Sequence, residues 1–552
     1  MAKYREFFTF SLSDINQTDL PIISVTDSRT GFVVRTALSN NSKQIPSIMA
    51  FAGARFSRSS DTAENIFGEI KNSGKSAQEK LAAIFRGYGH ASVADMAQLM
   101  VYIENVPMIY EAKFFYETSV GGGQARSTRF QNFDNPDFVN LGTFVKGDFQ
   151  NKASLETEFE NLQKYSLAKY NYWVERLTAK YIEVYQVDIN DKKQLGALKA
   201  RVFDSARYFL LSGLTTRTSL AWITSAREWA RIISIFKGSP DQNLQYLAEQ
   251  LETLLAPDPE FAETIGYLPE APDLIRYTTA DETTSNNLRK LQEYLETINF
   301  FEVAKVNTTF GFHPIGVDLY GEKYPGSLKA IAQNILSIYP NVDISWLMEW
   351  LLNQESTTKT QLSQVLFAGY NHHQQMGNQF RTNVQSYVLT CSIAEARDFN
   401  RHRAWGRFTP ILSTDTSHQD IINDGYTLPL YLTQNPQLSA ERIEFEKDLL
   451  GYYDLLKNFL EQAKPIPEVS MTLIWELLPF AHIMKFWMHG SPKEISYMTK
   501  LRVRPGGHIN YRLLAWQMAE LSATSDPFLA AIDLGTDQKP DANSRDEFLD
   551  RS

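Results

Sequence analysis

A run of elements in the first half of the chain recurs in the same order in the second half. In the first, Leu99 to Val106 (LMVYIENV) is rich in β-branched and aromatic residues and predicts a strand. Pro107 then opens a helix (PMIYEAKFFY), where its fixed φ and missing N–H do no harm. A Gly121-Gly122-Gly123 turn leads into Gln124-Ala125-Arg126-Ser127-Thr128-Arg129-Phe130. In the second, Asn383 to Cys391 (NVQSYVLTC) predicts a strand. Ser392 and Glu395 form a capping-box pair ahead of a helix, Ile393 to Asn400, which ends at Arg401-His402-Arg403. Glu117 to Arg401 is 284 residues and Ser225 to Ser491 is 266, each close to half of 552. Between the runs, Ala256 to Asn287 is rich in Pro, Ser, Thr, Asn and Asp and reads as a linker. The expectation is an α+β chain in two similar halves, 1–277 and 286–552, each a β-sheet packed with long helices.

Composition limits what such a chain does. Hydrophobic content of 43% and charged content of 21% are those of a globular protein with sizeable cores. A net charge of -10 argues against general polyanion binding, so no nucleic-acid partner is expected, although local basic clusters can still hold phosphates. The one cysteine, Cys391, excludes an internal disulfide framework and reads as a buried, inert thiol in its strand. The start, MAKYREFFTFSLSD, lacks the pattern of a signal peptide. The most apolar stretch, Leu473 to Phe486, is interrupted by Glu476, Pro479, His482 and Lys485 and is too short to cross a bilayer. A cytoplasmic protein without a membrane partner is expected. His372-His373 suggests a metal, but no third ligand at sensible spacing supports one, so none is expected.

Two guanidinium groups and an imidazole at a helix end, with Asp398 one turn back, suit a planar, anionic, hydrogen-bonding ligand. Standing alone, Arg401-His402-Arg403 would read as a solvated basic turn. Its company is what matters. The pattern resembles the flavin-dependent thymidylate synthases, whose signature begins Arg-His-Arg and continues with spaced Ser, Asn or Gln, Ser, Arg and an aromatic residue. Neither half carries the whole signature. Gln124, Ser127, Arg129 and Phe130 match its distal part, while Glu117-Thr118-Ser119 stand at the Arg-His-Arg positions. Arg401-His402-Arg403 match its proximal part, followed by Gly406, Phe408, Ile411 and Ser413 at the distal positions. Later family segments are divided likewise. Arg207, Thr216-Arg217 and Ser225-Ala226-Arg227 lie in the first half, with Phe236 where a later arginine is expected. Leu477-Leu478-Pro479, Ser491-Pro492-Lys493, Leu501-Arg502 and His508 lie in the second, where Trp475 replaces the arginine. Ala54-Arg55-Phe56-Ser57 and Gly89-His90 resemble earlier family segments.

The resemblance implies an enzyme that methylates deoxyuridine monophosphate reductively to thymidylate through FAD, with NADPH and methylenetetrahydrofolate as co-substrates. It implies catalytic and substrate roles for Ser127, Arg129 and Arg207, with Gln124 and Asp398 on the substrate side. It implies flavin contacts from Arg401, His402, Arg403, Arg502, His508, Ser57 and His90. Family members are homotetramers with sites between subunits, so a homodimer of this chain would form a pseudo-tetramer whose sites are shared between the repeats. Each residue also has an ordinary reading. Gln124 and Ser127 could be turn residues, Arg129 could stack on Phe130, and His90 could be a core histidine. Arg207 could pair with Asp204 at i, i+3, and His508 could merely begin a helix. Two other functions stay open: a degenerate paralogue that binds flavin or nucleotide without catalysis, and a transferase acting on another pyrimidine nucleotide.

Overall fold

The computed structural model describes residues 6–12, 22–38, 44–57, 59–72, 91–118, 120–128, 133, 137–215, 219–264, 266–282, 310–320, 326–338, 343–355, 357–358, 362, 382, 384–402, 404–409, 422, 424–526 and 538–550. It is an α+β structure with two antiparallel sheets. The first comprises β1 (Phe8–Leu12), β2 (Ile22–Asp27), β3 (Val33–Ala37), β4 (Gln98–Glu104), β5 (Gly122–Ala125) and β6 (Ser219–Ser225), in the order β1-β2-β3-β4-β6-β5. The second comprises β7 (Gly316–Tyr320), β8 (Gln385–Ser392), β9 (Gly406–Phe408) and β10 (Ile483–Gly490), in the order β7-β8-β10-β9. Without the β1–β2 hairpin, the first order reads like the second: a flanking strand, the strand before the capped helix, the late strand, and a short edge strand.

The expected strands and helices form within a residue or two of their predicted bounds. β4 alternates as a half-buried strand should, with Leu99, Val101 and Ile103 inward and Gln98, Met100 and Tyr102 outward. The helices that matter below are α1 (Ile45–Phe56), α2 (Met108–Glu117), α3 (Lys152–Tyr185), α4 (Lys192–Ala206), α5 (Ala226–Lys237), α6 (Gln242–Leu255), α7 (Ile393–Asn400), α8 (Ser439–Ala463), α9 (Pro492–Arg502) and α10 (Ile509–Ser525). Pro107 is the N-cap of α2, and Ser392 caps α7 with the full capping box to Glu395. The expected linker is only partly open chain. Tyr267, Ala271 and Leu274 within it are buried, and the Ser47 hydroxyl donates to the Glu270 carbonyl at 2.8 Å. Its scattered apolar residues stitch it onto the first half because leaving them in water would cost more than ordering the segment.

α3 and α8 pack along each other across the two halves. On α3 the buried residues Leu155, Phe159, Leu162, Ser166, Tyr170, Trp173, Leu177, Tyr181 and Tyr185 recur every three or four positions, one stripe of a helix. Phe159 meets Phe459 and Trp173 meets Phe445, each such burial contributing on the order of 2–3 kcal/mol. Asp448 on α8 gathers three α3 groups: it accepts from Lys169 Nζ at 2.5 Å and Trp173 Nε1 at 3.1 Å, and its carbonyl accepts from the Tyr165 hydroxyl at 2.8 Å.

Between the sheets, the segment after α4 crosses the segment before β10. The backbone hydrogen bonds there come in pairs that exchange of the halves interconverts. Ser212 N donates to Leu478 O at 3.1 Å and Phe480 N to Leu210 O at 2.9 Å. Gly213 N donates to Glu476 O at 2.8 Å, and Ala481 N to Tyr208 O at 3.1 Å. Ile109 N donates to Ser212 O at 3.1 Å, and Ala394 N to Phe480 O at 3.4 Å. These bonds place Tyr208 opposite Glu476, and Tyr110 opposite Glu395, as exchange-related positions. The crossing is tight. A Cβ on Gly213 would lie 2.8 Å from the Glu476 carbonyl, so no larger residue fits without a shift.

Candidate active site between the two halves

α7 is short because its signals are close together. The Ser392 hydroxyl accepts from Ala394 N at 3.2 Å, and the Glu395 carboxylate accepts from Ser392 N at 2.8 Å. After eight helical residues Arg401 is the C-cap, so Asp398, Arg401 and His402 all emerge near the helix end. α4 ends similarly, with Arg207 as its C-cap turning into a 3-10 segment. The crossing of the halves brings these two ends together.

Arg207 is 4% exposed. Its guanidinium lies 3.8 Å from Asp204 Oδ1 and 3.5 Å from Asp398 Oδ2, the second contact joining the two halves. Its Nε and Nη2 nonetheless make no hydrogen bond. A buried guanidinium whose donors make no hydrogen bond is costly unless something fills the gap. Beside it, Arg502 Nε donates to His402 Nε2 at 2.7 Å and Arg502 Nη2 to the Asp398 carbonyl at 2.9 Å. His402 therefore carries its proton on Nδ1. Burial first, then the charges of Arg502 and Arg407, push its pKa well below the ordinary histidine value, so the ring is neutral. Arg401 is half-buried, and its charge reaches both His402 and Glu111.

Other cations near α7 are already committed. Arg397 Nη2 donates to Glu111 Oε1 at 3.1 Å across the halves. Burial pushes the Glu111 carboxyl up, against the opposing pull of Arg397 and Arg401. Asn400 Nδ2 donates to the Ala112 carbonyl at 2.8 Å, and Arg407 Nη1 to the Phe115 carbonyl at 3.2 Å. Below Arg207, the Tyr208 hydroxyl donates to Glu395 Oε1 and accepts from Asn510 Nδ2 at 2.7 Å. His508 Nδ1 lies 3.6 Å from Glu395 Oε1, and burial pushes the Glu395 carboxyl up.

Of the sequence-predicted residues, the fold thus brings together Arg207, Asp398, Arg401, His402 and Arg502, with His508 fully buried beneath them. Gln124 is exposed on β5 opposite Ala221, and Ser127 is half-buried just beyond that edge strand. Ser57 is exposed at the end of α1 and donates to the Ala54 carbonyl at 3.0 Å. Arg129, Arg403, His90, Arg217, His372 and His373 lie outside the described residues. Glu111, Tyr208, Arg397, Arg407 and Asn510 escaped sequence reasoning, because each earns its place through a partner more than 180 residues away or, for Arg407, mainly through backbone carbonyls. Glu395 was legible only as a cap. Among the described residues no group of three or more His, Cys, Asp or Glu could hold a metal, and no helix is long and apolar enough to cross a membrane.

The donor set fits an anionic ligand that also offers hydrogen-bond acceptors: unused N–H groups on Arg207, the positive Arg401 and Arg502, and a neutral imidazole between them. Residues 38–257 match the family described as thymidylate synthase complementing protein. This match spans 220 of the 552 residues, all of them in the first half. A UPF0159 protein of Chlamydia pneumoniae is 21% identical over 445 residues, spanning 78% of this chain and 76% of its own. A UPF0159 protein of Thermoplasma acidophilum is 20% identical over 508 residues, spanning 87% and 93%. Among solved structures, a UMP/dUMP methylase PolB from Streptomyces cacaoi, bound with 5-Br dUMP, is 13% identical with a TM-score of 0.32, covering 40% of this chain and 95% of that one.

Proposed function

We propose that this chain is a tandem-duplicated, diverged thymidylate synthase-like methyltransferase that acts on deoxyuridine monophosphate at a site shared between its halves. The observation that carries this is Arg207: a buried guanidinium with unused donors, set against the helix that ends in Arg401 and His402. The duplication is supported by the matching strand orders and the exchange-related hydrogen bonds of the crossing. In this reading Arg207, with Arg129, Ser127 and Gln124, holds the phosphate and base of the nucleotide, and Asp398 holds Arg207 in place until the nucleotide arrives. Arg401, Arg403 and Arg502 would hold the diphosphate and ring edge of FAD, with His402 a fixed neutral acceptor beside them and Ser57, His90 and His508 in support. Bound there, FAD would supply the hydride that completes methyl transfer from methylenetetrahydrofolate, after reduction by NADPH. The protein's own part is orientation and charge: guanidinium donors stabilise the uracil carbonyl as negative charge grows on it. The chain is read as a cytoplasmic homodimer.

One observation favours a second reading. Arg207 already stands between Asp204 and Asp398, and Trp475 occupies its exchange-related place, as a degenerate flavin- or nucleotide-binding paralogue would have it. A transferase for another pyrimidine nucleotide is the variant of the first reading that a different substrate would reveal. Release of tritium from deoxyuridine monophosphate labelled at carbon 5 separates them. Release supports the enzyme; a flavin-loaded protein that releases none, from this or other uridine nucleotides, leaves the binding paralogue; a colourless protein that binds no nucleotide sinks both.

A further inference from the structure

The crossing has two ends, and they have diverged in charge. At one end Tyr208 meets Glu395; at the other Tyr110 meets Glu476, the same residue types with their positions swapped between the halves. Each pair is joined by the N-cap of a later helix: His508 ahead of α10 at the first end, Asp241 ahead of α6 at the second. The first end has Arg207 at its side. The second has Trp475 in that place, and among the described residues the titratable groups facing Glu476 are Asp241 and Tyr110, with no cation among them.

The second end is closed to water: Tyr110 is 3% exposed, Asp241 5% and Glu476 1%. The Tyr110 hydroxyl lies 2.8 Å from both Asp241 oxygens. Asp241 Oδ1 also accepts from Asn243 N at 2.9 Å and Leu244 N at 3.3 Å, at the positive end of α6. Asp241 is thus equipped as an anion. Glu476 is served less well: the donor that faces it is the Tyr110 hydroxyl, and that single proton is given to Asp241. With Asp241 held as an anion beside it, a second charge on the poorly served Glu476 in this dry site would be strongly disfavoured.

We propose that Glu476 carries a proton in the folded protein while Asp241 stays ionised, and that this one buried proton closes the second end of the crossing and pins the halves together. Burial, then Asp241, raises Glu476 well above the ordinary carboxylate range, in keeping with that assignment. A carboxyl raised in the folded state stabilises fully below its unfolded value, and that stabilisation is lost as pH rises through the folded value.

The test is urea unfolding of the full chain from about pH 5 to about pH 9, comparing wild type with Glu476→Gln. Other carboxyls are common to both proteins and cancel in the ratio. The unfolding constant of wild type relative to the variant should rise by up to tenfold per pH unit; a flat ratio overturns the proposal. Should Glu476→Gln fail to fold, Asp241→Asn replaces it: removing the neighbouring charge should reduce the slope, burial alone keeping part of it, and an unchanged slope overturns the proposal. Infrared spectra of wild type at neutral pH should contain a protonated-carboxyl carbonyl band, and its absence would overturn the proposal without any variant.

Discussion

Arg207 Nη2 and Asp398 Oδ2, 191 residues apart in the chain, lie 3.5 Å from each other at the meeting of α4 and α7. One residue comes from each half, and Arg207 has the exposure of a core side chain. Arg207→Ala would leave Asp204 and Asp398 without their shared cation. It should lower unfolding free energy by about 3 kcal/mol, measured by urea titration. Arg207→Lys should recover part of that stability yet still bind deoxyuridine monophosphate poorly, because a point charge cannot reproduce the planar fork. Equal binding by the lysine variant would remove Arg207 from the nucleotide site.

Arg502→Ala deletes the donor to His402 and the contact to the Asp398 carbonyl, and so disturbs the flavin side of the proposed site. The variant should purify with less flavin than wild type, read from its visible absorbance, while unfolding at a similar urea concentration. Arg403→Ala should behave likewise. Full flavin loading of both would count against this assignment.

If the two sides of a productive site act as a unit, the double variant Arg207→Ala, Arg502→Ala should be little less active than either single variant. Losses that multiply would mean the two arginines serve separate sites.

Acid should destabilise the protein through its buried histidines. Burial pushes His482 down to about 3 and holds His402 well below the usual value. A base lowered in the folded state binds its proton mainly in the unfolded chain, so stability falls as pH drops below about 6.5. For His482 the loss accumulates to about 4–5 kcal/mol by pH 3. His482→Asn should flatten the acid limb of the stability curve by roughly that amount; an unchanged limb would mean that His482 is protonated at ordinary values.

Ser392→Ala removes the cap of α7 and one partner of the buried Glu395 carboxyl. About 1 kcal/mol or more should be lost in urea unfolding.

Much of the local structure was legible beforehand. The Ser392–Glu395 capping box located α7 to the residue, and β-branched runs located β4 and β8 within a residue or two. The i, i+3 pairing of Arg207 with Asp204 was foreseeable as a sequence spacing, and it is present at 3.8 Å. The contact of Arg207 with Asp398 was not, because no periodicity links residues in different halves. His508 shows the same limit: its motif suggested a place close to the flavin, but nothing in the sequence linked it to Glu395, against which it is wholly buried.

By itself, then, the sequence determined the elements and their repeated order, since strand and helix periodicity and capping depend on neighbours within a few positions. It also carried the residue types, arginine and histidine at helix ends, that mark anion chemistry. Only the tertiary structure decided which arginines remain available and which are spent. Arg397 is given to Glu111 and Arg407 to backbone carbonyls, while Arg207 keeps unused donors. That division follows from how two halves cross in a dry interior, where a charge is worth what its nearest partner makes it.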